Sequence, residues 1–366
     1  DMVIADWLKH IAYPLAGRIT PQDAYHAAKI GLMESIHSGV TTTVDYMYAH
    51  PVPLISDAVI RAMQDLGTRA IYARGFVSAG EAYGIQPAMM ETPEEVIADF
   101  RRLVETYEKP SHGKLRIWMA PSTPWANTPA MLKKTWEECC KSGAGYTVHI
   151  SETENPRNRA KELHGVIDTK ALEKYGILGK NVLLVHCVAV DEEDLELFRR
   201  HDVRISHNPV CNMYLASGVA PVPRMLELGI TVGLGLDGAA SNNSQDMIET
   251  LKTTALLHKV STRNPKIISA WKVLELATID SARSIGIEEE IGSLEIGKKA
   301  DLFIFNPALT AKSTPMHNPV STLVYSSSAS NIETVIIDGA VILENGSILG
   351  MDEEADLKEV QESSLR

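Results

Sequence analysis

The chain has 366 residues, 45% apolar and 22% charged, and a formal charge of −12. That length exceeds one ordinary compact core, unless the core is a barrel of roughly 250 residues or more. The acidic balance excludes a nucleic-acid backbone as partner, because phosphate binding needs a basic face, and no run approaches the ~18 consecutive apolar residues of a membrane helix.

The chain starts at Asp1 rather than Met, directly before a helical pattern over residues 2–11. The lack of a signal peptide therefore carries no weight, and an upstream segment is expected. From about Thr20 to Ser284, short β-branched runs alternate with helical periodicity, as in β/α units around a parallel sheet. The predicted strands are 41–44, 70–73, 115–119, 146–150, 182–185, 203–206 and 231–236. Thr20-Pro21, Thr92-Pro93 and Thr128-Pro129 each set a capping hydroxyl before a proline suited to a first helical turn, and Glu95 completes a capping box with Thr92. A closed (β/α)₈ barrel needs one strand more, and the simplest account puts it before Asp1.

The expected fold is thus α/β, a TIM-type barrel over residues 1–288 whose first strand is missing from this chain. Residues 289–349 read as the C-terminal part of a small β-sandwich domain with a barrel-packing segment, including a hairpin that turns at Asp338-Gly339. Residues 350–366 read as a helical tail. Cys139, Cys140, Cys187 and Cys211 show no C-x-x-C spacing and read as reduced thiols of a cytoplasmic protein.

Three segments concentrate the chemistry: Val148-His149-Ile150-Ser151-Glu152, Val185-His186-Cys187 and Gly235-Leu236-Asp237-Gly238. Each ends a buried run with a polar group just past the strand, where metal-assisted hydrolysis at a barrel mouth needs it. An imidazole and a carboxylate can hold a divalent ion, while Glu152 and His186 serve protons and orientation. The plainer reading of His149 and His186 is a satisfied core histidine, and of Glu152 a surface carboxylate. Three such groups in series favour a site. A lone buried Asp237 would cost several kcal/mol, so it should be paired or metal-bound; Gly233, Gly235 and Gly238 around it suggest close backbone approach.

These motifs, with Ser206-His207-Asn208-Pro209-Val210-Cys211-Asn212-Met213, Leu215-Ala216-Ser217-Gly218 and Gly292-Ser293-Leu294-Glu295-Ile296-Gly297-Lys298-Lys299-Ala300-Asp301-Leu302, carry a resemblance over essentially the whole chain. It resembles the amidohydrolase superfamily, in its mononuclear branch of cytosine/guanine-type deaminases and related chlorohydrolases. The resemblance implies His149 and Asp237 as metal ligands, Glu152 as proton shuttle, His186 as a hydrogen-bonding partner of water or substrate, and Asp237 as acceptor of the water's proton. It implies one divalent ion, Zn²⁺ ahead of Fe²⁺, and hydrolytic loss of ammonia from a small heterocyclic amine. It also implies a homodimer or higher oligomer. One departure stands out: the family's His-x-His pair on the first strand is absent, so two further ligands are missing and this chain is expected to bind metal poorly and to be nearly inactive.

Within the resemblance, the family's ribose-reading Glu and substrate His are matched here by Ala16 and Ser122. This ranks free heterocycles (an oxopurine, pterin, pyrimidine or triazine) ahead of an S-adenosylhomocysteine/methylthioadenosine-type deaminase or a triazine chlorohydrolase. An inactive barrel scaffold is the non-enzymatic alternative. Arg74 is expected to read a carbonyl edge, Trp125 to stack on a flat ring alongside Tyr46, and Asn208 and Asn212 to order their loop or touch substrate. His207 is expected to support the neighbouring loops.

Overall fold

The structure is a computed structural model that describes residues 2–364, so Asp1 and the last two residues of the expected tail lie outside it. Seven strands form one parallel sheet in chain order: β1 (Thr42–Met47), β2 (Arg69–Phe76), β3 (Leu115–Pro121), β4 (Tyr146–Ile150), β5 (Val182–His186), β6 (Arg204–His207) and β7 (Val232–Leu234). The sheet curls as a barrel does, but β1 and β7 are not paired with each other. Ile71, Ala73, Trp118, Ala120 and Leu183 pack inside the curl with Val44 and Tyr46, while the opposite faces meet the surrounding helices in the main core. Close packing of Trp118 requires glycine at 145, where a Cβ would stand 2.1 Å from the indole.

The helix starts follow the capping chemistry. Thr20 opens α1 (Pro21–His37), Thr92 opens α2 (Pro93–Leu103) and Thr128 opens α3 (Pro129–Ser142). Each hydroxyl accepts from the backbone N–H three residues on, which supplies one of the partners a helix start otherwise lacks. The first two starts are complete capping boxes, Thr20 with Asp23 and Thr92 with Glu95. The predicted helix at the amino terminus is broken into two short α segments, Ile4–Trp7 and Tyr13–Ala16, around a π-helical turn over Leu8–Ala12. Pro14 accounts for the break, since its ring crowds the carbonyl four residues back and it has no N–H to donate.

A second, antiparallel sheet runs β11-β10-β9-β8, with β8 (Leu302–Phe305), β9 (Ile332–Ile337), β10 (Ala340–Glu344) and β11 (Ser347–Ile348). Its β9–β10 turn lies at Asp338-Gly339, both in the left-handed region at φ +53° and +83°, as an Asp-Gly hairpin prefers. A buried ion pair joins the two sheets. Arg69 at the start of β2 donates from Nε to Asp301 at 2.6 Å and from Nη2 to Asp301 at 3.0 Å and Asp338 at 3.2 Å. The C-terminal helix, Glu353–Ser363, lies on α1 through Lys29–Asp356 at 2.5 Å and His37–Glu353 at 2.7 Å. Among the described residues no helix is long and apolar enough to cross a membrane, and all four cysteines are free.

Asp301→Ala would strand the buried Arg69 guanidinium, so it should destabilise the protein by about 3 kcal/mol. Urea denaturation followed by far-UV circular dichroism reads this, and a loss below about 1 kcal/mol would remove the pair's role in joining the sheets.

Candidate active site

Parallel pairing brings the strand ends to one rim. In register, His149 stands opposite Val185 and Ile150 opposite His186, while His207 stands opposite Leu234. Past these ends the chain turns sharply: Ser151, His186, Cys187 and Asp237 all take left-handed backbone, at φ +45°, +75°, +49° and +66°. Such conformations cost non-glycine residues energy and gather at functional sites. Gly235 is required here, because a Cβ would lie 2.2 Å from Asn208 Oδ1 and 2.6 Å from Ser206 Oγ. Gly233 is similarly confined by Ser284 Oγ at 2.7 Å, whereas a Cβ at Gly238 would meet nothing. The turn also explains why β7 ends at Leu234, short of the predicted residue 236.

Four side chains converge on the rim. His186 Nε2 is 3.5 Å from Asp237 Oδ2 and 3.8 Å from Glu152 Oε2, and the His149 and His186 rings lie 5.3 Å apart. His149 Nδ1 donates to the Ser122 carbonyl at 3.0 Å, which leaves its Nε2 lone pair free. His186 Nδ1 is bonded to Asn212 Oδ1 at 3.0 Å. Ser217 donates to Glu152 at 3.1 Å, and the Gly238 N–H to Asp237 at 2.6 Å. Tyr46 packs edge-on against His149 at 4.3 Å.

Burial sets the charge states apart. It pushes the His149 imidazole down to about 4, with His186 adding to the effect. It raises the Glu152 carboxyl, and the Asp237 charge raises it further against the pull of His186. Burial alone would also raise Asp237, but His186, His149 and hydrogen bonds from Cys211 and Gly238 hold it below the usual carboxylate range. Two carboxylates pushed in opposite directions mark a proton holder and a charged acceptor.

The rim opens into a cavity of about 1370 Å³. Trp7, Leu8 and Tyr13 of the amino-terminal segment wall it on one side, and Asn208, as expected, lines it too. His149 and Asp237 offer free donors whose chemistry fits a divalent ion. Their number falls short, since among the described residues no group of three or more His, Cys, Asp and Glu is placed to hold one.

Two expected substrate contacts, Arg74 and Trp125, do not line this cavity. Arg74 is 2% exposed and does not line the cavity. Ala73 takes the inward position of β2, so alternation turns Arg74 outward. There it pairs with Glu91 at 2.5 Å and Asp99 at 2.8 Å and meets His50 Nδ1 at 3.1 Å. Trp125 is buried in the turn Pro124–Ala126, with Tyr83 packed edge-on at 5.6 Å and the Arg159 guanidinium 4.8 Å from its ring. It borders a side chamber of about 40 Å³ that His149 and Glu152 also line, too small for a ring. His207 is buried against His258, Nε2 to Nε2 at 3.1 Å. The bonds from Asn212, in the short helix Pro209–Tyr214, to His186 and from Ser217 to Glu152 escape a reading by motif, because the motifs do not say which side chains they meet.

Arg74→Met should therefore cost about 3 kcal/mol of stability by leaving Glu91 unpaired and Asp99 with Arg102 alone, while the Michaelis constant of the folded enzyme stays within about 2-fold. Thermal denaturation and steady-state kinetics on the same sample check both halves; a large rise in Michaelis constant with full stability would return Arg74 to the substrate.

A family model described as "Amidohydrolase family" matches residues 2–342. A 5-methylthioadenosine/S-adenosylhomocysteine deaminase of Syntrophomonas wolfei is 36% identical, covering 100% of this chain and 81% of its own. A 5′-deoxyadenosine deaminase of Methanosarcina acetivorans is 36% identical over 99% of this chain and 80% of its own. Among solved structures, a zinc complex of atrazine chlorohydrolase from Arthrobacter aurescens superposes with a TM-score of 0.91 at 26% identity, over 99% of this chain and 82% of that one. A zinc-bound adenosine deaminase from Xanthomonas campestris, at 23% identity and a TM-score of 0.89 over 99% and 79%, shares the fold. The expectation of an inactive chain gains no support from relatives that align along its full length with the four rim side chains assembled. The curled parallel sheet, the rim it builds and these likenesses agree, and the chain belongs to the amidohydrolase family.

Proposed function

We propose that this metal-dependent hydrolytic deaminase acts on the 6-amino group of an adenine nucleoside altered at its 5′ position, converting C–NH₂ and water into C=O and ammonia. The observation that carries the reading is the convergence of His149, Glu152, His186 and Asp237 with the two carboxylates pushed apart in proton affinity. Relatives named for methylthioadenosine, S-adenosylhomocysteine and 5′-deoxyadenosine support a nucleoside over the free heterocycles that Ala16 and Ser122 favour.

His149 Nε2 and the Asp237 carboxylate would hold the ion, with Zn²⁺ favoured by the zinc in the similar chlorohydrolase structure. When bound, a divalent ion supplies the Lewis acidity that makes water nucleophilic near neutral pH. Asp237, held ionised, takes the attacking water's proton at its carboxylate. Glu152 keeps its own proton more tightly than an ordinary carboxyl; it protonates the ring nitrogen beside the reacting carbon and then takes up the proton of the added hydroxyl as C=O forms, while Asp237 passes the water's proton to the departing amine. His186 Nε2, between the two carboxylates, orients the reacting oxygen. Asn208 and Tyr46 line the ring's side of the cavity.

Glu152→Gln should lower turnover by about 10²–10⁴-fold with little change in Michaelis constant. Ammonia release is measured from methylthioadenosine, S-adenosylhomocysteine, 5′-deoxyadenosine, guanine and a pterin, with chloride release from atrazine alongside. Ammonia from the nucleosides, abolished by a chelator and restored by Zn²⁺, is the expected pattern. Turnover of guanine or atrazine without any nucleoside, or full activity in Glu152→Gln, would overturn the reading.

A further inference from the structure

One segment, from Asn208 to Ser217, bonds two of the four rim side chains directly and reaches a third through Ser241. It leaves β6 at Asn208, runs through the short helix Pro209–Tyr214, and turns back over the rim. Cys211 Sγ donates to Ser241 Oγ at 3.5 Å, and Ser241 in turn donates to Asp237 Oδ1 at 3.3 Å. One residue on, Asn212 Oδ1 meets His186 Nδ1 at 3.0 Å. At the far end, Ser217 Oγ meets Glu152 Oε1 at 3.1 Å.

The segment is internally tied. Asn212 N–H donates to the Asn208 carbonyl at 3.1 Å, and Ser217 N–H donates to the Asn212 carbonyl at 2.8 Å. Ala216 at φ +53° and Gly218 at φ +121° make the return turn, and a Cβ on Gly218 would stand 2.9 Å from Val188 of the loop after β5. Asn212 is 1% exposed, and its Nδ2 has no hydrogen-bond partner among the described residues. A buried amide left half-satisfied costs stability, so its retained bond to His186 needs a reason beyond packing.

We infer that the Asn208–Ser217 segment is a single positioning element for proton transfer: Asn212 holds His186 as the Nδ1–H tautomer with Nε2 open to the reaction, and Ser217 fixes the rotamer of Glu152. The inference rests on the roles given to His186 and Glu152 above, but its first readout is independent of turnover. An oxygen acceptor at Nδ1 selects the proton's place on the ring, as an acceptor beside a catalytic imidazole does in hydrolases, where the wrong tautomer costs up to about 10⁴-fold in rate. Because Ser217 N–H hangs on the Asn212 carbonyl, disturbing one should move the other.

The test uses ¹⁵N-histidine-labelled full chain, with the His186 signals assigned by their loss in His186→Gln. Wild type should show an Nδ1–H tautomer at 186. Asn212→Leu should give a tautomer mixture and lower kcat about 10–100-fold with Michaelis constants within about 3-fold. Asn212→Asp, which keeps the acceptor, should keep the tautomer and most of the rate. Ser217→Ala should lower kcat about 3–10-fold, Ser217→Thr should restore it, and the Asn212→Leu/Ser217→Ala double variant should fall short of the product of the single losses. An Nε2–H tautomer in wild type, an unchanged tautomer in Asn212→Leu, or strictly multiplicative losses that follow melting temperature would each overturn the inference. If none of the nucleosides is turned over, the substrate reading fails, while the tautomer result still decides the role of Asn212.

Discussion

In-register parallel pairing from β4 through β7 is the constraint on which the site depends. It sets the carboxyl ends of strands separated by dozens of residues at one level, so residues at or up to three positions past each end reach common space. The left-handed turns at Ser151, His186 and Asp237 then convert strand ends into inward-aimed side chains. A one-residue slip in β5 would send His186 to the opposite face of the sheet. The hydrophobic runs that specify register are therefore also what specify the chemistry.

The electrostatics follow from enclosure. Two imidazoles and two carboxylates share one space at the rim, where each charge state depends on its neighbours. Burial disfavours the charged forms of His149 and Glu152, whereas Asp237 keeps its charge through His186, His149 and the N–H of Gly238. Arg74 makes the contrast plain. It too is buried, yet it is paired with Glu91 and Asp99 and bonded to His50 and the Gly75 carbonyl away from the cavity, and it serves the scaffold. Ser122, by contrast, contributes only a carbonyl, and that carbonyl decides which nitrogen of His149 remains free.

The sequence made the repeating architecture readable because β-branched runs, threonine–proline starts and an Asp-Gly turn each act locally. Thr20, Thr92 and Thr128 open helices where predicted, and Asp338-Gly339 turns a hairpin. His149, Glu152, His186 and Asp237 were readable as strand-end groups, and the structure brings them together. What escaped depends on direction. Arg74 sits at a strand end like the others, but alternation beside Ala73 and Gly75 sends it outward, and no local signal gives that phase. Trp125 has an aromatic face already occupied by Tyr83 and Arg159, partners far away in sequence. The π-helical turn before Pro14 was hidden by an unbroken helical pattern.

The central claim is that these strand ends form one cation-binding, proton-moving pocket. The most direct measurement is anomalous diffraction at the zinc absorption edge from crystals of the protein equilibrated with Zn²⁺. The account predicts a peak about 2.0–2.2 Å from His149 Nε2 and from a carboxylate oxygen of Asp237. A peak bound elsewhere, with His149 and Asp237 left uncoordinated at saturating zinc, would contradict it.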